Sequence, residues 1–188
     1  MNYYLIKMAL NNDNKITKRT KIVLLGSVKT GKTIFCMKAK NNLVDKDLQY
    51  ISTIGGAYFP SRIIIENEYL DLDFWDTSGQ ERFYPLNRIF YKDADIICIF
   101  YNSYEISSFE TAKRLIKECK ENNNGNNIFV LIRSRYDECL KKNDNKNIVS
   151  DEEALEYADL NNLYFIHVSS FEKIETGLKE LIKIFLKN

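Results

Sequence analysis

The 188-residue sequence contains little of what marks the specialised structural classes. Its seven glycines and two prolines are too few for a collagenous, linker-like or low-complexity disordered chain. Four cysteines without a Cys-x-x-Cys spacing, and a single histidine, match no common zinc pattern, so we expect reduced thiols. No apolar run approaches the ~20 residues of a membrane span. The balance of 27 basic and 26 acidic residues argues against proteins that coat nucleic acid or bind membranes through a polybasic surface.

What is present suits one folded domain, because 45% of the residues are hydrophobic and 28% are charged. Residues 1–19 are polar, and we expect them to form a flexible N-terminal extension to a domain that spans residues 20–188. Asn2 excludes N-myristoylation, and the last three residues include no cysteine for prenylation. We therefore expect a cytoplasmic monomer that binds no nucleic acid and has no direct lipid anchor.

Short apolar runs alternate with helical patterns along the chain, which predicts an α/β fold. Pro60 restricts the second predicted strand to the edge of the sheet. Capping boxes that begin at Ser107, Ser150 and Ser169 predict three helices, and a further helix is predicted at 34–43. The predicted strands span residues 21–26, 58–66, 69–75, 94–101, 128–132 and 164–168. This order predicts a six-stranded, mainly parallel sheet with helices on both faces, and such sheets bind ligands at the carboxyl ends of their strands.

Residues 26–33 read GSVKTGKT and match the phosphate-binding pattern G-x-x-x-x-G-K-[ST] between a predicted strand and a predicted helix. Glycines let successive backbone N–H groups point at a phosphate, and the following helix adds the positive end of its dipole. Lys32 is expected to bridge the outer phosphates, and the Thr33 hydroxyl is expected to bind Mg²⁺. The expected nucleotide-binding residues of this segment are Gly26, Ser27, Val28, Lys29, Thr30, Gly31, Lys32, Thr33 and Ile34.

A second group of polar residues follows the predicted strand 69–75. Asp76 leaves the carboxyl edge of the sheet, where a carboxylate can hold Mg²⁺ through a water molecule. Gly79 allows its backbone N–H to approach a γ-phosphate closely. Gln80 is the candidate catalytic residue, because its amide could orient an attacking water. Taken alone, the segment also fits a turn that caps a helix.

Residues 75–83, WDTSGQERF, resemble the switch II motif of Ras-superfamily GTPases, and most of all that of the Rab family. Residues 50–55 resemble the Rab switch I, and residues 100–110 resemble the Rab segment that enters the third helix. The resemblance covers almost the whole domain and implies a G domain, a three-layer P-loop NTPase fold that binds GTP or GDP with Mg²⁺. It also implies that Thr53 binds Mg²⁺ and the γ-phosphate, and that Tyr50 folds over the phosphates.

The resemblance implies that protein effectors and regulators bind at the two switches. The aromatic triad that faces effectors in the family corresponds to Tyr58, Trp75 and Phe90, and the neighbouring Phe59 is included in the expected surface. The same aromatic residues also fit an ordinary core.

The base-reading motifs of the family are altered in this sequence. The expected base-binding residues are Ser134, Arg135, Asp137, Ser169, Ser170 and Phe171. Asp137 is kept to accept two guanine N–H groups, whereas Ser134 is shorter than the family's asparagine and Arg135 could lie on the base face. The backbone N–H of Ser170 can meet the guanine oxygen, and Phe171 packs either against the base or in the core. We therefore expect a narrowed preference for guanine over adenine.

Two further departures concern catalysis. Val28 occupies a phosphate-loop position where the family has glycine or another small residue, and Ser78 replaces the alanine that usually precedes Gly79. A branched, stiff side chain at position 28 fills space needed by Gln80 and by an arginine finger, so slow GTP hydrolysis is expected. The leading hypothesis is a Rab-like, Mg²⁺-dependent guanine-nucleotide switch in vesicle trafficking, peripheral on vesicle membranes through its partners. A degenerate pseudo-GTPase that acts as an interaction scaffold is the alternative. A P-loop enzyme that uses ATP is disfavoured by Thr53, Gln80 and Asp137.

Overall fold

The computed structural model describes residues 18–41, 53–65, 68–123, 127–134, 148–168 and 174–187. The strands are β1 (Lys18–Gly26), β2 (Gly56–Ile65), β3 (Glu68–Thr77), β4 (Ile96–Asn102), β5 (Ile128–Ser134) and β6 (Tyr164–Val168). The helices are α1 (Lys32–Asn41), α2 (Tyr84–Tyr91), α3 (Ile106–Asn122), α4 (Asp151–Leu160) and α5 (Ile174–Lys187), with a 3₁₀ turn at Glu81–Phe83. None of these helices is both long and apolar enough to span a bilayer.

The six strands form one sheet in the order β2-β3-β1-β4-β5-β6. Only β2 and β3 pair antiparallel, and the other neighbours are parallel. The predicted six-stranded, mainly parallel sheet is therefore confirmed, as is the edge position of the strand that carries Pro60. β1 begins at Lys18, three residues earlier than predicted, so residues 18 and 19 lie in a strand and not in the polar extension.

Helices cover both faces of the sheet, because the inner strands are apolar on both sides. On one face, Ile22, Leu24 and Phe74 pack with residues of α1 and α5. On the other, Val23 and Leu25 pack with residues of α2, α3 and α4. Each fully buried Leu, Ile or Phe side chain is worth about 1.5–3 kcal/mol relative to an exposed one. β1 and β4 are therefore the central strands of the domain. Because they are parallel, their carboxyl ends lie at the same edge of the sheet.

Several predicted boundaries are corrected by the structure. The capping box at Ser107 is wrong, because α3 begins at Ile106, so that Ser107 already lies in the helix. Ser108 instead joins β4 to α3, since its hydroxyl accepts the Asn102 N–H at 2.9 Å and lies 2.7 Å from the Glu105 carbonyl oxygen. The box at Ser150 is confirmed by a 3.1 Å bond from the Glu153 N–H to the serine hydroxyl. The box at Ser169 lies outside the described residues. Helix α2 was not predicted; it is only eight residues long, and no side chain caps its N-terminus at Phe83.

The three cysteines that the structure describes, Cys36, Cys98 and Cys119, are buried free thiols, as expected. Burial raises the pKa of each of these thiols. They act as small apolar side chains in the two cores.

Candidate nucleotide-binding site

The phosphate-loop sequence connects the end of β1 to the start of α1. Gly26 ends the strand with φ +135°, and a Cβ at this position would lie 2.3 Å from the Phe100 carbonyl oxygen in β4. Lys29 and Gly31 also have positive φ values, +60° and +91°. Glycine is thus required at position 26 by both the backbone conformation and the close approach of the neighbouring strand. The loop wraps around the N-terminus of α1, where its own N–H groups and those of the helix can meet an anion.

Lys32 is the first residue of α1, and its ammonium group folds back across the loop. The Nζ atom donates to the carbonyl oxygens of Gly26 at 2.8 Å and Ser27 at 2.7 Å. The side chain is only 5% exposed. Burial lowers the pKa of Lys32 to about 8, and the negative charge of Asp76 opposes that shift. A phosphate group near Nζ would favour the charged form further.

Three oxygen atoms from separate segments meet next to this lysine. The Thr33 hydroxyl donates to Asp76 Oδ2 at 2.7 Å, and the Thr53 hydroxyl reaches the same oxygen at 2.9 Å. The two hydroxyl oxygens are 3.1 Å apart. Thr33 is the second residue of α1, Asp76 lies near the end of β3, and Thr53 precedes β2. The parallel pairing of β1 with β3, in which Leu24 faces Asp76, brings the carboxylate to the phosphate loop.

These oxygens fit a Mg²⁺ ion. Within the described residues, Asp76 Oδ1 is buried and has no hydrogen-bond partner. Burial raises the pKa of Asp76, against the opposing effects of the two threonine hydroxyls and Lys32. A buried carboxylate with an unused oxygen beside two hydroxyls is the type of hard oxygen cluster that Mg²⁺ prefers. Thr33, Thr53 and Asp76 are the residues that would hold the ion.

The segment after β3 lies directly on the phosphate loop. The Ser78 N–H donates to the Gly55 carbonyl oxygen at 2.8 Å, which joins the segments before β2 and after β3. A Cβ at Gly79 would lie 2.4 Å from Val28 N and 2.6 Å from the Ser27 carbonyl oxygen. Only glycine permits this contact between two backbones. Gln80 follows as a half-buried residue at the edge of the loop, and the side chain of Val28 is 37% exposed on the same loop.

The structure brings the predicted aromatic triad together. The ring of Trp75 lies 5.1 Å from that of Tyr58 and 6.1 Å from that of Phe90 between ring centroids. Gly56 makes room for Phe90, since a Cβ there would lie 2.6 Å from the phenylalanine ring. Tyr58 is exposed, while the other two rings are half-buried.

Phe59 does not share this surface, which corrects its placement among the effector-facing residues. Successive residues of a strand point to opposite faces, and Phe59 packs against the core formed with α1 and α5. It therefore supports the sheet from the face opposite to Tyr58.

Ser134 is the one predicted base-reading residue that the structure describes. It is buried at the end of β5, and its hydroxyl donates to the Tyr101 carbonyl oxygen in β4 at 2.8 Å. The hydroxyl proton is thus used within the sheet. The other predicted positions, Tyr50, Arg135, Asp137, Ser169, Ser170 and Phe171, lie outside the described residues.

Two side chains near the site were not anticipated from the sequence. Arg133 is 1% exposed, forms an ion pair with Asp151 and donates to the Val149 carbonyl oxygen at 3.1 Å. It ties the end of β5 to the start of α4. Tyr84, the first residue of α2, reaches back to the Gly79 carbonyl oxygen. The sequence could have indicated Arg133, because a charged residue directly follows the apolar strand predicted at 128–132. No local pattern singled out Tyr84.

Comparison with known proteins agrees with this geometry. The family model for the Ras family matches residues 21–187. The chain is 34% identical to the Ras-related protein Rab5A of Oryza sativa subsp. japonica over 164 residues, 87% of this chain and 76% of that protein. It is 30% identical to the Ras-related protein Rab-5A of Dictyostelium discoideum over 173 residues, 92% of this chain and 81% of that protein. It is 31% identical to the GTP-binding protein ypt3 of Schizosaccharomyces pombe over 170 residues, 87% of this chain and 76% of that protein. With the phosphate loop and the hydroxyl–carboxylate cluster at one sheet edge, the chain belongs to the Ras family and is a Rab-like small GTPase.

Proposed function

We propose that this protein is a switch that binds GTP and GDP with Mg²⁺, hydrolyses GTP slowly and acts in vesicle trafficking. The observation that carries the proposal is the convergence of Thr33, Thr53 and Asp76 beside the buried ammonium of Lys32. Rab-like family membership supports the proposed role in vesicle trafficking, in which the protein would be held peripherally on vesicle membranes through its partners.

The phosphate loop supplies binding energy. Lys32 would exchange its bonds to the Gly26 and Ser27 carbonyl oxygens for bonds to the outer phosphates, and the ammonium is already desolvated. Charge-assisted hydrogen bonds of this kind are worth about 1.5–3 kcal/mol each. A bound Mg²⁺ would neutralise part of the phosphate charge. The hydroxyls of Thr33 and Thr53 would turn from Asp76 toward that ion, which leaves the carboxylate to hold its water shell.

Hydrolysis would depend on the placement of Gln80. The backbone around Gly79 lies against Ser27 and Val28, so Gln80 is presented at the edge of the phosphate loop. From there its amide would orient a water molecule for attack on the γ-phosphate. The exposed valine on the same loop would crowd that water and an incoming arginine finger, and we propose that hydrolysis is slow for this reason.

Switching would use the two segments that frame the site. The bond from the Ser78 N–H to the Gly55 carbonyl oxygen joins them when Thr53 is close to Asp76. Loss of the γ-phosphate would remove one of the contacts proposed to hold Thr53 in this place, as in other order–disorder switches of nucleotide-binding loops. The segments beside the aromatic triad Trp75, Tyr58 and Phe90 would then differ between the GTP and GDP states, so effectors could distinguish the two states at this surface.

The direct test is the nucleotide affinity of Lys32→Ala. Dissociation constants for fluorescent GDP and GTP are measured with Mg²⁺ and with a chelator, beside the exposed-lysine control Lys117→Ala on α3. Loss of at least one charge-assisted bond should weaken binding by about 10-fold or more in Lys32→Ala. The control should bind as the wild type does. The proposal would be contradicted if Lys32→Ala bound GDP and GTP as tightly as the wild type does, or if the chelator left the wild-type affinities unchanged.

A further inference from the structure

The peptide bond between Gly79 and Gln80 is held from both sides. The Gln80 N–H donates to Ser78 Oγ at 3.3 Å. The Gly79 carbonyl oxygen accepts from the Tyr84 hydroxyl at 3.4 Å. These two bonds act on the two ends of one planar unit, so together they restrict its rotation. The next backbone atom, the Cα of Gln80, carries the glutamine side chain.

Tyr84 is itself anchored to two other parts of the domain. Burial raises the pKa of the Tyr84 hydroxyl, and the nearby Ser27 side chain of the phosphate loop opposes that shift. The guanidinium carbon of Arg114, on α3, lies 5.4 Å from the centre of the tyrosine ring. Arg114 also pairs with Glu81 at 3.8 Å, next to Gln80. Tyr84 therefore connects the phosphate loop, α3 and the residues that carry Gln80.

We propose that Ser78 and Tyr84 are positioning residues that orient Gln80 by clamping the Gly79–Gln80 peptide over the phosphate loop. The inference rests on the proposed hydrolysis of GTP and names how its glutamine is held. A reaction that depends on positioning loses rate when a group is misplaced, by roughly 100-fold for about 1 Å. Neither residue would touch the substrate, and both act through Gln80.

Another tyrosine of α2 offers a matched control. The Tyr91 hydroxyl reaches Glu118 Oε1 on α3 at 3.4 Å, the same length as the bond from Tyr84 to Gly79. Tyr91 lies at the opposite end of α2 and belongs to the core. Tyr91→Phe removes a comparable hydroxyl bond without touching the segment that carries Gln80.

The experiment measures single-turnover GTP hydrolysis and GDP affinity for Tyr84→Phe, Ser78→Ala, Tyr91→Phe and Gln80→Leu. One lost hydrogen bond should slow hydrolysis by about 2- to 10-fold in Tyr84→Phe and in Ser78→Ala. GDP affinity and thermal stability should stay at the wild-type level. Tyr91→Phe should hydrolyse GTP at the wild-type rate.

The decisive variant combines Tyr84→Phe with Gln80→Leu. If Tyr84 acts through the glutamine, its removal should cause no further slowing in the absence of Gln80. Equal slowing by Tyr84→Phe in both backgrounds, or no slowing beside an intact Gln80, would overturn this inference alone. A Gln80→Leu variant as fast as the wild type would instead overturn the proposed role of Gln80, and this inference with it.

Discussion

The contact between Gly79 and the phosphate loop allows a sharp prediction for Gly79→Ala. The added Cβ would lie 2.4 Å from Val28 N and 2.5 Å from the Ser27 carbonyl carbon. Ordinary contact between such atoms needs about 3.5 Å, so one backbone must retreat by about 1 Å. Both clashing partners are main-chain atoms, and no side-chain rotation can relieve the clash.

The retreat should affect GTP and GDP differently. A shift of about 1 Å in a positioning residue can cost roughly 100-fold in rate, and Gln80 moves together with Gly79. We expect Gly79→Ala to hydrolyse GTP about 100-fold more slowly and to bind a non-hydrolysable GTP analogue more weakly. GDP lacks the γ-phosphate that this segment would meet, so GDP affinity should be unchanged.

The assay is single-turnover hydrolysis with parallel titrations of GDP and the analogue. Gly177→Ala is the control. Its added Cβ would lie similarly close to a neighbour, 2.6 Å from Val168 Cγ2, but that neighbour is a side-chain atom that can move aside. Gly177 is part of α5 and belongs to no segment of the site. If Gly79→Ala hydrolyses GTP and binds the analogue as the wild type does, close contact between Gly79 and the phosphate loop is not needed for either activity, and the reasoning is refuted.

Three further predictions test other parts of the molecule. Val28→Gly should speed single-turnover hydrolysis, most of all with a GTPase-activating protein, and an unchanged rate would show that valine is tolerated there. ATP should compete with labelled GDP better than it does in an ordinary Rab protein, because the base-reading positions are altered; complete rejection of ATP would contradict this. Trp75→Ala should lose a partner selected with the GTP-analogue form, while Tyr164→Ala, an exposed aromatic on β6, should keep it. Circular dichroism of both variants checks the fold, and binding that does not depend on Trp75 would exclude the aromatic triad as the docking surface.

Much of the fold was predictable because short stretches of the sequence determine its strands and helices. Apolar runs at strand length, separated by helical stripes, predicted the sheet and its mainly parallel pairing. A proline within the second strand predicted its edge position, since proline has no N–H to donate to a neighbouring strand. The face of Phe59 was equally decided by local structure: residues next to each other in a strand point apart, so it could not share a surface with Tyr58.

Other features depend on contacts between distant segments. The start of α3 is set by the bonds of Ser108 to the end of β4, so the capping pattern one residue earlier had no effect. Helix α2 is stabilised by tertiary packing, which buries Asn87 and Tyr91. A helix of eight residues is too short to be stable in water by itself.

The sequence by itself determined which residue types are offered at the candidate site: a glycine-bounded phosphate loop, a threonine proposed to bind Mg²⁺, a carboxylate near the end of β3 and a glutamine after it. Each depends on residue type and spacing within a few positions of the chain. Only the tertiary structure brought Thr33, Thr53 and Asp76 to within 3.1 Å of one another. Parallel pairing of β1 with β3 brings Asp76 to the loop that leads to Thr33, 43 residues away, and antiparallel pairing of β2 with β3 brings Thr53, 23 residues away. It also placed the segment that carries Gln80 against the phosphate loop, since the backbone of Gly79 lies too close to those of Ser27 and Val28 to admit a Cβ.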